Sequence, residues 1–216
     1  LPEQRLKSHS LSWARCPGLL VLSLSYNSIG NGSESLPNEL YLKGNLIEQF
    51  RGGAFNGISE LVVLDMSSNR LTNKGLLRDS LLNATHLESL NLEGNKLKQV
   101  PRHLPPVFRT LKNLEHLGLA RNKIFKVAPG AFRTLPVLHQ LDLCHNTLRQ
   151  VPRQLPAALH SVVLTHNKIQ SVPRDAFCWG NKSLSLSGLV RVQLEHNLID
   201  MGKLDAQAFR YKQSCC

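Results

Sequence analysis

The chain has 216 residues and carries 26 Lys and Arg against 15 Asp and Glu, a formal net charge of +11 at pH 7. This length limits the protein to one or two domains. No apolar run reaches the roughly 20 residues of a membrane-spanning helix, so these residues are not expected to insert into a membrane.

An eleven-residue pattern, LxxLxLxxNxL or a one-step variant of it, recurs eight times along the chain. We number its positions 1 to 11 and its repeats from the N-terminus. One match would be weak evidence, but eight in register predict a leucine-rich-repeat solenoid, an α/β-type horseshoe with one parallel concave sheet and an irregular or 3-10 convex side. The position-9 asparagines are 18 to 30 residues apart: Asn27, Asn45, Asn69, Asn95, Asn122, Asn146, Asn167 and Asn197.

Stacking of the repeats gives each position of the pattern a physical role. The apolar side chains at positions 1, 4, 6 and 11 point inward and meet those of the next repeat, because a single repeat cannot bury that face alone. A short strand around positions 4 to 6 would add one rung, about 4.8 Å, to a parallel sheet. The position-9 amide can donate and accept hydrogen bonds, so we predict a buried asparagine ladder that serves the scaffold rather than catalysis.

The N-terminal repeats are irregular. Asn27 and Asn45 are only 18 residues apart, and Pro37 occupies the first leucine position of the second repeat. We therefore expect the first repeat to join the second poorly. Residues 1–18 lack a cysteine-rich cap, which predicts an N-terminal segment that is truncated or opens within an earlier repeat, followed by a single repeat domain over 19–216.

Three N-x-S/T sequons favour a secreted glycoprotein, since none has proline in the middle and all fall between predicted strands. They begin at Asn31, Asn83 and Asn181. The alternative is that they are chance matches in a cytosolic protein. The chain also has five cysteines, an odd count: Cys16, Cys144, Cys178, Cys215 and Cys216.

Short sequence segments between the repeats are typical of one protein family. Shorter repeats with a Val-Pro phrase (151–156) alternate with longer ones that have an Ala-Phe phrase (129–132), and an over-long penultimate repeat opens at 175–178. In these features the chain resembles the small leucine-rich-repeat proteins of the extracellular matrix, the decorin and podocan kind, and among them the group that contains extracellular matrix protein 2. The resemblance implies a secreted matrix protein with a C-terminal ear or cap region over 178–216.

The resemblance also implies a disulfide bond that closes this cap. The family's ear cysteine corresponds to Cys178, but Tyr211 stands where its partner cysteine is expected. We therefore predict a bond from Cys178 to Cys215, with Cys216 as the less favoured partner. A vicinal bond between Cys215 and Cys216 and free thiols are the alternatives. The family's N-terminal four-cysteine cap has no counterpart here.

The sequence has no nucleophile elbow, phosphate loop, CxxC pair or HExxH pattern, so we expect neither enzymatic activity nor a cofactor. His145, His166 and His196 share position 8 in successive repeats, and His139 and His160 share position 2. Stacking would align each set in a file. Zinc binding is one interpretation, but no carboxylate or thiolate obviously closes a tetrahedral site. Solvated surface histidines are the favoured interpretation, and no metal ligand is assigned.

Basic side chains recur at equivalent places in the repeats. Lysine or arginine occupies position 10 in four repeats, and Val-Pro-Arg occurs three times a few residues later. Stacking would align them in ribbons with rungs about 5 Å apart, inside the screening length of roughly 8 Å at physiological salt. A solvated surface is the alternative, but the alignment predicts a polyanion partner, here sulfated glycosaminoglycan rather than nucleic acid. The predicted polyanion-binding residues are Lys96, Lys98, Arg102, Lys123, Lys126, Arg149, Arg153, Lys168 and Arg174.

The outward positions 3, 5, 7 and 8 form a long polar surface, which suits extended partners. The pattern predicts that Ser67, at position 7, lies on this surface. The family resemblance implies that this concave face binds collagen or another matrix or cell-surface protein. A ligand-binding ectodomain fragment of a receptor and an intracellular scaffold are the alternatives. The predicted protein-binding residues are Asp65, Asn91, Glu93, His116, Arg121, Asp142, His145 and His166.

Overall fold

A computed structural model shows the architecture of the protein at residues 21–23, 38–48, 60–76, 81, 84–100, 110–173, 176–177 and 188–204. In this part of the chain eight short strands form one parallel sheet, with one strand from each repeat, so the predicted solenoid is confirmed. The sheet runs in chain order through β1 (Val21–Ser23), β2 (Glu39–Tyr41), β3 (Val63–Asp65), β4 (Ser89–Asn91), β6 (His116–Gly118), β8 (Gln140–Asp142), β9 (Ser161–Val163) and β10 (Arg191–Gln193).

Each strand covers positions 3 to 5 of its repeat, one residue earlier than predicted. In β6, Leu117 at position 4 is buried, while its two neighbours are half-buried. The sheet hydrogen bonding still continues into position 6, where Leu119 N–H donates to the carbonyl oxygen of Asp142 at 2.8 Å. The extended run ends because position 8 adopts a left-handed conformation, as at Arg121 with a φ of 50°.

The first and second repeats pair as regularly as the others, so the expected poor join between them is wrong. β1 and β2 are parallel, with Val21 opposite Glu39 and Ser23 opposite Tyr41. The residues at positions 3 to 5 of the two repeats lie in register, so the short connection between these repeats does not prevent their strands from pairing. Pro37 itself lies outside the described residues.

Away from the main sheet the described chain is mostly turn and irregular structure, as predicted for the convex side. Two strands, β5 (Gln99–Val100) and β7 (Lys126–Val127), form a second parallel sheet there, which was not predicted. A short helix, α1, covers Asn73–Leu76, and a 3-10 helix covers Met201–Lys203. Across the described ranges, neither helix has the length and apolar character needed to cross a membrane.

A continuous apolar core runs along the inside of the solenoid. In the fifth repeat the side chains at positions 1, 4, 6 and 11, which are Leu114, Leu117, Leu119 and Ile124, are at most 3% exposed. The Ala-Phe phrase adds Phe132, which is buried as well. Burial of one such side chain contributes about 1.5–3 kcal/mol, and each repeat contacts only its neighbours, so this stabilisation is spread along the stack.

The core is less well covered at the eighth repeat. Leu194, Ile199 and Leu204 are only half-buried, and an open cleft of about 420 Å³ lies beside them. Met201, at the rim of this cleft, is 74% exposed. Residues 205–216 lie outside the described part of the chain. The last described repeat therefore shows apolar surface that the middle repeats bury against a neighbour.

Candidate interaction surfaces

The asparagine ladder is the scaffold that sets the spacing of the candidate surfaces. Asn69 Nδ2 lies within hydrogen-bonding distance of the carbonyl oxygens of Leu42 (2.9 Å) in the preceding repeat and of Met66 (3.0 Å) and Ser67 (3.1 Å) in its own. Its Oδ1 accepts the Ile47 N–H at 3.1 Å. The same four contacts recur at Asn95, Asn122, Asn146, Asn167 and Asn197.

The predicted burial of this ladder is confirmed from the second repeat to the seventh. The side chains from Asn45 to Asn167 at position 9 are 2–7% exposed. Asn197 is only half-buried, since the core around it is less well covered at the eighth repeat. Asn27 lies outside the described residues. These asparagines satisfy backbone groups of two adjacent repeats and leave no amide atom for a ligand.

Position 8 aligns a second file of residues along one edge of the main sheet. Each of its N–H groups donates to the position-7 carbonyl of the next repeat, as His145 does to Thr165 at 3.0 Å. Gly44 and Gly94 occupy this position in two repeats, and glycine recurring at one place is the usual sequence signal for a left-handed conformation, which was not predicted. The other residues there share this conformation: Ser68 (φ 55°), Arg121 (50°), His145 (51°), His166 (54°) and His196 (58°).

Three of these side chains form the predicted histidine file. The ring centroids of His145 and His166 are 4.1 Å apart with planes inclined by 14°, and those of His166 and His196 are 4.2 Å apart at 27°. The pKa of His166 is lowered from 6.5, first by desolvation of its ring and then by the charges of His145, His196 and Arg121. Within the described ranges, no group of three or more His, Cys, Asp or Glu could hold a metal ion. The file therefore presents stacked aromatic rings, and the central one, His166, resists protonation.

The second histidine file is less regular. His139 and His160 meet edge to face, with ring centroids 5.0 Å apart. Glu115 Oε2 lies 3.9 Å from both His139 Nδ1 and His116 Nε2. One carboxylate thus faces two imidazoles, and it places His116, a predicted protein-binding residue, beside an acidic group.

The central part of the concave face combines both signs of charge. Arg121 Nε lies 3.0 Å from Glu93 Oε1, and both side chains are substantially exposed. Three of the predicted residues also serve the backbone at position 7: Asp65 Oδ1 accepts the Ser67 N–H at 2.8 Å, and Asn91 and Asp142 accept the equivalent N–H groups at 3.0 Å and 2.9 Å. These short polar side chains are therefore partly structural and are held in fixed orientations.

Position 7 points outward in some repeats but not in others, so the prediction that it lies on the outer surface is wrong for part of the stack. Ser67 is 2% exposed, its Oγ has no hydrogen-bond partner among the described residues, and Ala120 is 3% exposed. Lys43 at the same position is exposed. Cys144 at this position is half-buried, and its pKa is raised to about 12, mainly by burial and then by a hydrogen bond to Asp142. Its sulfur stays a thiol at neutral pH, which argues against a reactive role.

The basic files lie on exposed surface. Lys96 and Lys123 at position 10 are adjacent in the stack, since Lys123 N–H donates to the Leu97 carbonyl at 2.9 Å, and Lys126 in β7 lies opposite Gln99 in β5. All seven of the predicted polyanion-binding residues in the described ranges are exposed: Lys96, Lys98, Lys123, Lys126, Arg149, Arg153 and Lys168. Arg102 and Arg174 lie outside those ranges.

The remaining predicted sites also fall outside the described residues. They are the three sequon asparagines, Asn31, Asn83 and Asn181, and the two cysteines of the expected cap, Cys178 and Cys215. Glycosylation and the disulfide bond therefore stay predictions.

The comparison with protein families agrees with this architecture. The family model described as leucine rich repeat matches residues 38–97 and 85–148. The chain belongs to the leucine-rich-repeat family. This family is one of protein-interaction modules, in agreement with the absence of a catalytic motif from the sequence.

Individual relatives are of the small leucine-rich kind that the sequence resembles. The chain is 30% identical to podocan of Mus musculus over 213 residues, which covers 88% of this chain and 34% of podocan. It is 33% identical to keratocan of Mus musculus, covering 50% of this chain and 29% of keratocan, and 28% identical to osteomodulin of Bos taurus, covering 70% and 36%. The chain thus spans about a third of the length of these relatives. The proposed nearness to extracellular matrix protein 2 stays a prediction.

A solved structure shows the same fold. A chain of the octameric complex of Latrophilin 3, Unc5D and FLRT2 (LRR) has a TM-score of 0.65 and 23% sequence identity to this protein. The likeness covers 98% of this chain and 77% of that one. It supports the solenoid architecture alone.

Proposed function

We propose that this chain is part of a non-enzymatic, secreted protein of the extracellular matrix. It binds an extended matrix or cell-surface protein, such as collagen, through the concave face, and sulfated glycosaminoglycan through the basic files. The proposal is carried by the parallel sheet of eight strands, which sets polar side chains of successive repeats on one surface. The relatives podocan, keratocan and osteomodulin support the matrix setting.

The chemistry of the concave face suits a long polar partner. The ion pair between Arg121 and Glu93 offers both charges at the surface. His116 in the same repeat as Arg121, and His166 two repeats further along the sheet, add ring nitrogens. Since Asp65 and Asp142 are held by backbone N–H groups, ordering them for a partner would cost little conformational entropy. A partner that runs along the sheet can therefore contact several repeats at once.

A triple substitution tests the concave face. His116→Ser, Arg121→Ser and His166→Ser together should weaken binding to immobilised fibrillar collagen at least about tenfold, as removal of central interface contacts does. Serine suits Arg121 and His166 because Ser68 already adopts the position-8 conformation, and it suits His116 because Ser89 occupies the same position of β4. The matched control is Lys112→Ser, Lys123→Ser and Lys168→Ser, three exposed residues outside the predicted protein-binding set. Surface plasmon resonance at constant salt provides the measurement. Equal binding by parent and concave variant would refute the concave-face assignment.

The basic files suit a polyanion because their charges are available. The ion pairs between described residues involve Glu93 and Glu115, and none of them includes Lys96, Lys98 or Lys123. These lysines lie on consecutive repeats, so a linear polyanion could contact several of them in one line. Each contact made would release condensed counterions, which gives binding a steep dependence on salt.

Heparin affinity chromatography tests whether heparin binding depends on the basic files or only on the net charge of the whole chain. Replacing Lys96, Lys98 and Lys123 with serine should lower the salt concentration at which the protein elutes. The control replaces Lys43, Lys112 and Arg191 with serine, which removes the same charge from exposed residues outside the files. Elution of the two triple variants at the same salt would show that only net charge matters, and would remove the case for a defined polyanion surface.

A further inference from the structure

One aromatic residue interrupts the basic surface. Phe125 follows the buried Ile124 and is 51% exposed. Its N–H donates to the carbonyl oxygen of Lys98 at 3.0 Å, which places it next to Lys98 in the stack. In the next repeat, Thr147 N–H donates to the Ile124 carbonyl at 2.9 Å, and the corresponding place two residues after Thr147 is taken by Arg149. At this place in three successive repeats there are therefore a lysine, a phenyl ring and an arginine.

Further cations border the same ring. Lys123 lies two residues before it in the extended segment, Lys126 is the next residue, and Lys96 precedes Lys123 in the position-10 file. All are exposed. Within the described part of the chain, no ion pair includes these cations, and no ring or cation stacks on Phe125. We call this surface the Phe125 patch: Lys96, Lys98, Lys123, Phe125, Lys126 and Arg149.

A phenyl ring has no role in a basic surface that serves only solubility. The core below it is already filled, since Ile124 is 0% exposed and Leu97 at the same position of the preceding repeat is 3% exposed. About half of the surface of the Phe125 ring is therefore left outside the packing of the stack. A polyanion without rings, such as polyphosphate, would contact the lysines and gain nothing from the phenyl ring.

We propose that the Phe125 patch is a carbohydrate subsite that holds one sugar ring of a sulfated polysaccharide. The negative face of the phenyl ring attracts the polarised C–H bonds on the flat side of a pyranose. The surrounding cations pair with sulfate and carboxylate groups at the edges of the same sugar. The inference rests on the proposed glycosaminoglycan function and names the place where a saccharide, rather than charge alone, is recognised.

The salt dependence of binding separates the ring contact from the ionic contacts. We would measure the Kd for a heparin octasaccharide over a series of salt concentrations, with unchanged thermal unfolding required of every variant. Phe125→Ala should raise the Kd roughly 5- to 10-fold at every salt concentration, the low end of what aromatic stacking contributes for nucleic-acid bases. The slope of log Kd against log salt should stay that of the parent. Lys123→Ser should instead reduce this slope by about one unit.

Two further variants and a second probe complete the test. Phe125→Tyr should bind like the parent because it keeps an aromatic face. Leu198→Ala should also bind like the parent, since Leu198 is 61% exposed but lies in the eighth repeat, away from the patch. With polyphosphate as the probe, Phe125→Ala should bind like the parent, because polyphosphate has charge but no sugar ring.

The outcomes distinguish this inference from the function on which it rests. If the parent binds the octasaccharide and Lys123→Ser lowers the slope while Phe125→Ala changes nothing, the subsite is refuted and the polyanion function stands. Equal weakening of octasaccharide and polyphosphate binding by Phe125→Ala also refutes the subsite, because the ring then only shapes the lysine cluster. A parent that does not bind the octasaccharide at physiological salt refutes both.

Discussion

Asn122 shows how one side chain satisfies the backbone of two repeats. Its Nδ2 contacts the carbonyl oxygens of Leu92 at 2.9 Å and Ala120 at 3.0 Å, and its Oδ1 accepts the Leu97 N–H at 3.0 Å. All of these groups are away from water, since Asn122 is only 7% exposed. Buried backbone groups without a partner are costly, which is why the same amide recurs at every position 9.

Replacing this amide tests its contribution. Asn122→Ala leaves the buried Leu97 N–H without a partner and removes one of two donors from the carbonyl oxygens of Leu92 and Ala120, so we expect the free energy of unfolding to fall by about 1–3 kcal/mol. Urea unfolding followed by circular dichroism provides the measurement. Asn113→Ala is the control, because Asn113 is exposed and makes one contact, to the Thr85 carbonyl at 3.0 Å. An unchanged midpoint for Asn122→Ala would contradict the ladder as a stabilising feature.

At the scale of one strand, β6 is special because glycine occupies its position 5. A Cβ atom on Gly118 would lie 2.8 Å from Asn91 Oδ1, which is the acceptor for the Glu93 N–H. The neighbouring strands carry Asn91 and Asp142 at this position. The glycine therefore leaves room for the Asn91 side chain of the preceding repeat.

The close approach of Gly118 and Asn91 predicts that substitutions in β4 and β6 have coupled effects on stability. Gly118→Ala should displace the Asn91 side chain and weaken its hydrogen bond to Glu93, at a cost of about 0.5–1.5 kcal/mol in unfolding free energy. In an Asn91→Ala background the same change should cost much less, because the clashing oxygen is gone. A double-mutant cycle by urea unfolding measures this difference. Additive effects would mean that the two side chains do not interact.

The histidine file joins three adjacent repeats, and its response to pH follows from the lowered pKa of His166. Above pH 6.5 this ring is neutral in the folded and the unfolded chain, so it adds no pH dependence. Below pH 6.5 the unfolded chain binds the proton more readily, and stability falls until the pH passes the lower, folded-state pKa. The groups near this file are Arg121 with Glu93, Cys144 with Asp142, and Glu195 beside His196.

His166→Gln should therefore lose less stability than the parent between pH 7.5 and pH 5.5. Glutamine is compatible with the backbone, since Gln154 has a φ of 55°. The measured quantity is the difference in unfolding free energy between parent and variant at each pH. Because both proteins contain the same carboxylates, their contribution cancels in this difference. His160→Gln, outside the file, should follow the parent. A parallel pH dependence of parent and His166→Gln would show that the stacked ring does not titrate as expected.

At the scale of the whole molecule, the apolar core is incompletely covered at the eighth repeat. The eighth repeat leaves Leu194 and Ile199 half-buried, whereas the equivalent side chains in the middle repeats, such as Leu119 and Ile124, are buried. Met201 beside them is exposed. A solenoid needs a cap over such a face. The segment predicted to supply it, 178–216, is described only at 188–204.

We predict that a bond between Cys178 and Cys215 fastens this cap. It closes a loop of 37 residues, for which the chain-entropy model suggests about 3.5–4 kcal/mol of stabilisation. Non-reducing peptide mapping of oxidatively folded protein should recover the two cysteines in one linked pair, and Cys178→Ser should lower the unfolding midpoint. Recovery of Cys178 as a free thiol would contradict the bond, and Cys216 as its partner would show that the tail is closed one residue later.

The sequence by itself determined the solenoid, its eight-strand sheet, the inward leucines and the buried asparagines, because each of these depends on a repeated position meeting its own copy in the next repeat. It also predicted which lysines would share a file, since that too follows from the period. The regular pairing of β1 with β2 despite the short connection follows from backbone contacts that the side-chain pattern does not show.

Tertiary structure alone decided how side chains are oriented within a repeat. Ser67 at position 7 is buried, and the rings of His145 and His166 stack face to face, and no property of those residues in isolation indicates this. The period aligns Phe125 with Lys98 and Arg149, which are more than 20 residues away in the chain, but the exposure of its ring beside these cations is seen only in the structure. Periodicity predicts which positions meet, but the backbone angles of each turn decide which side chains reach the surface together.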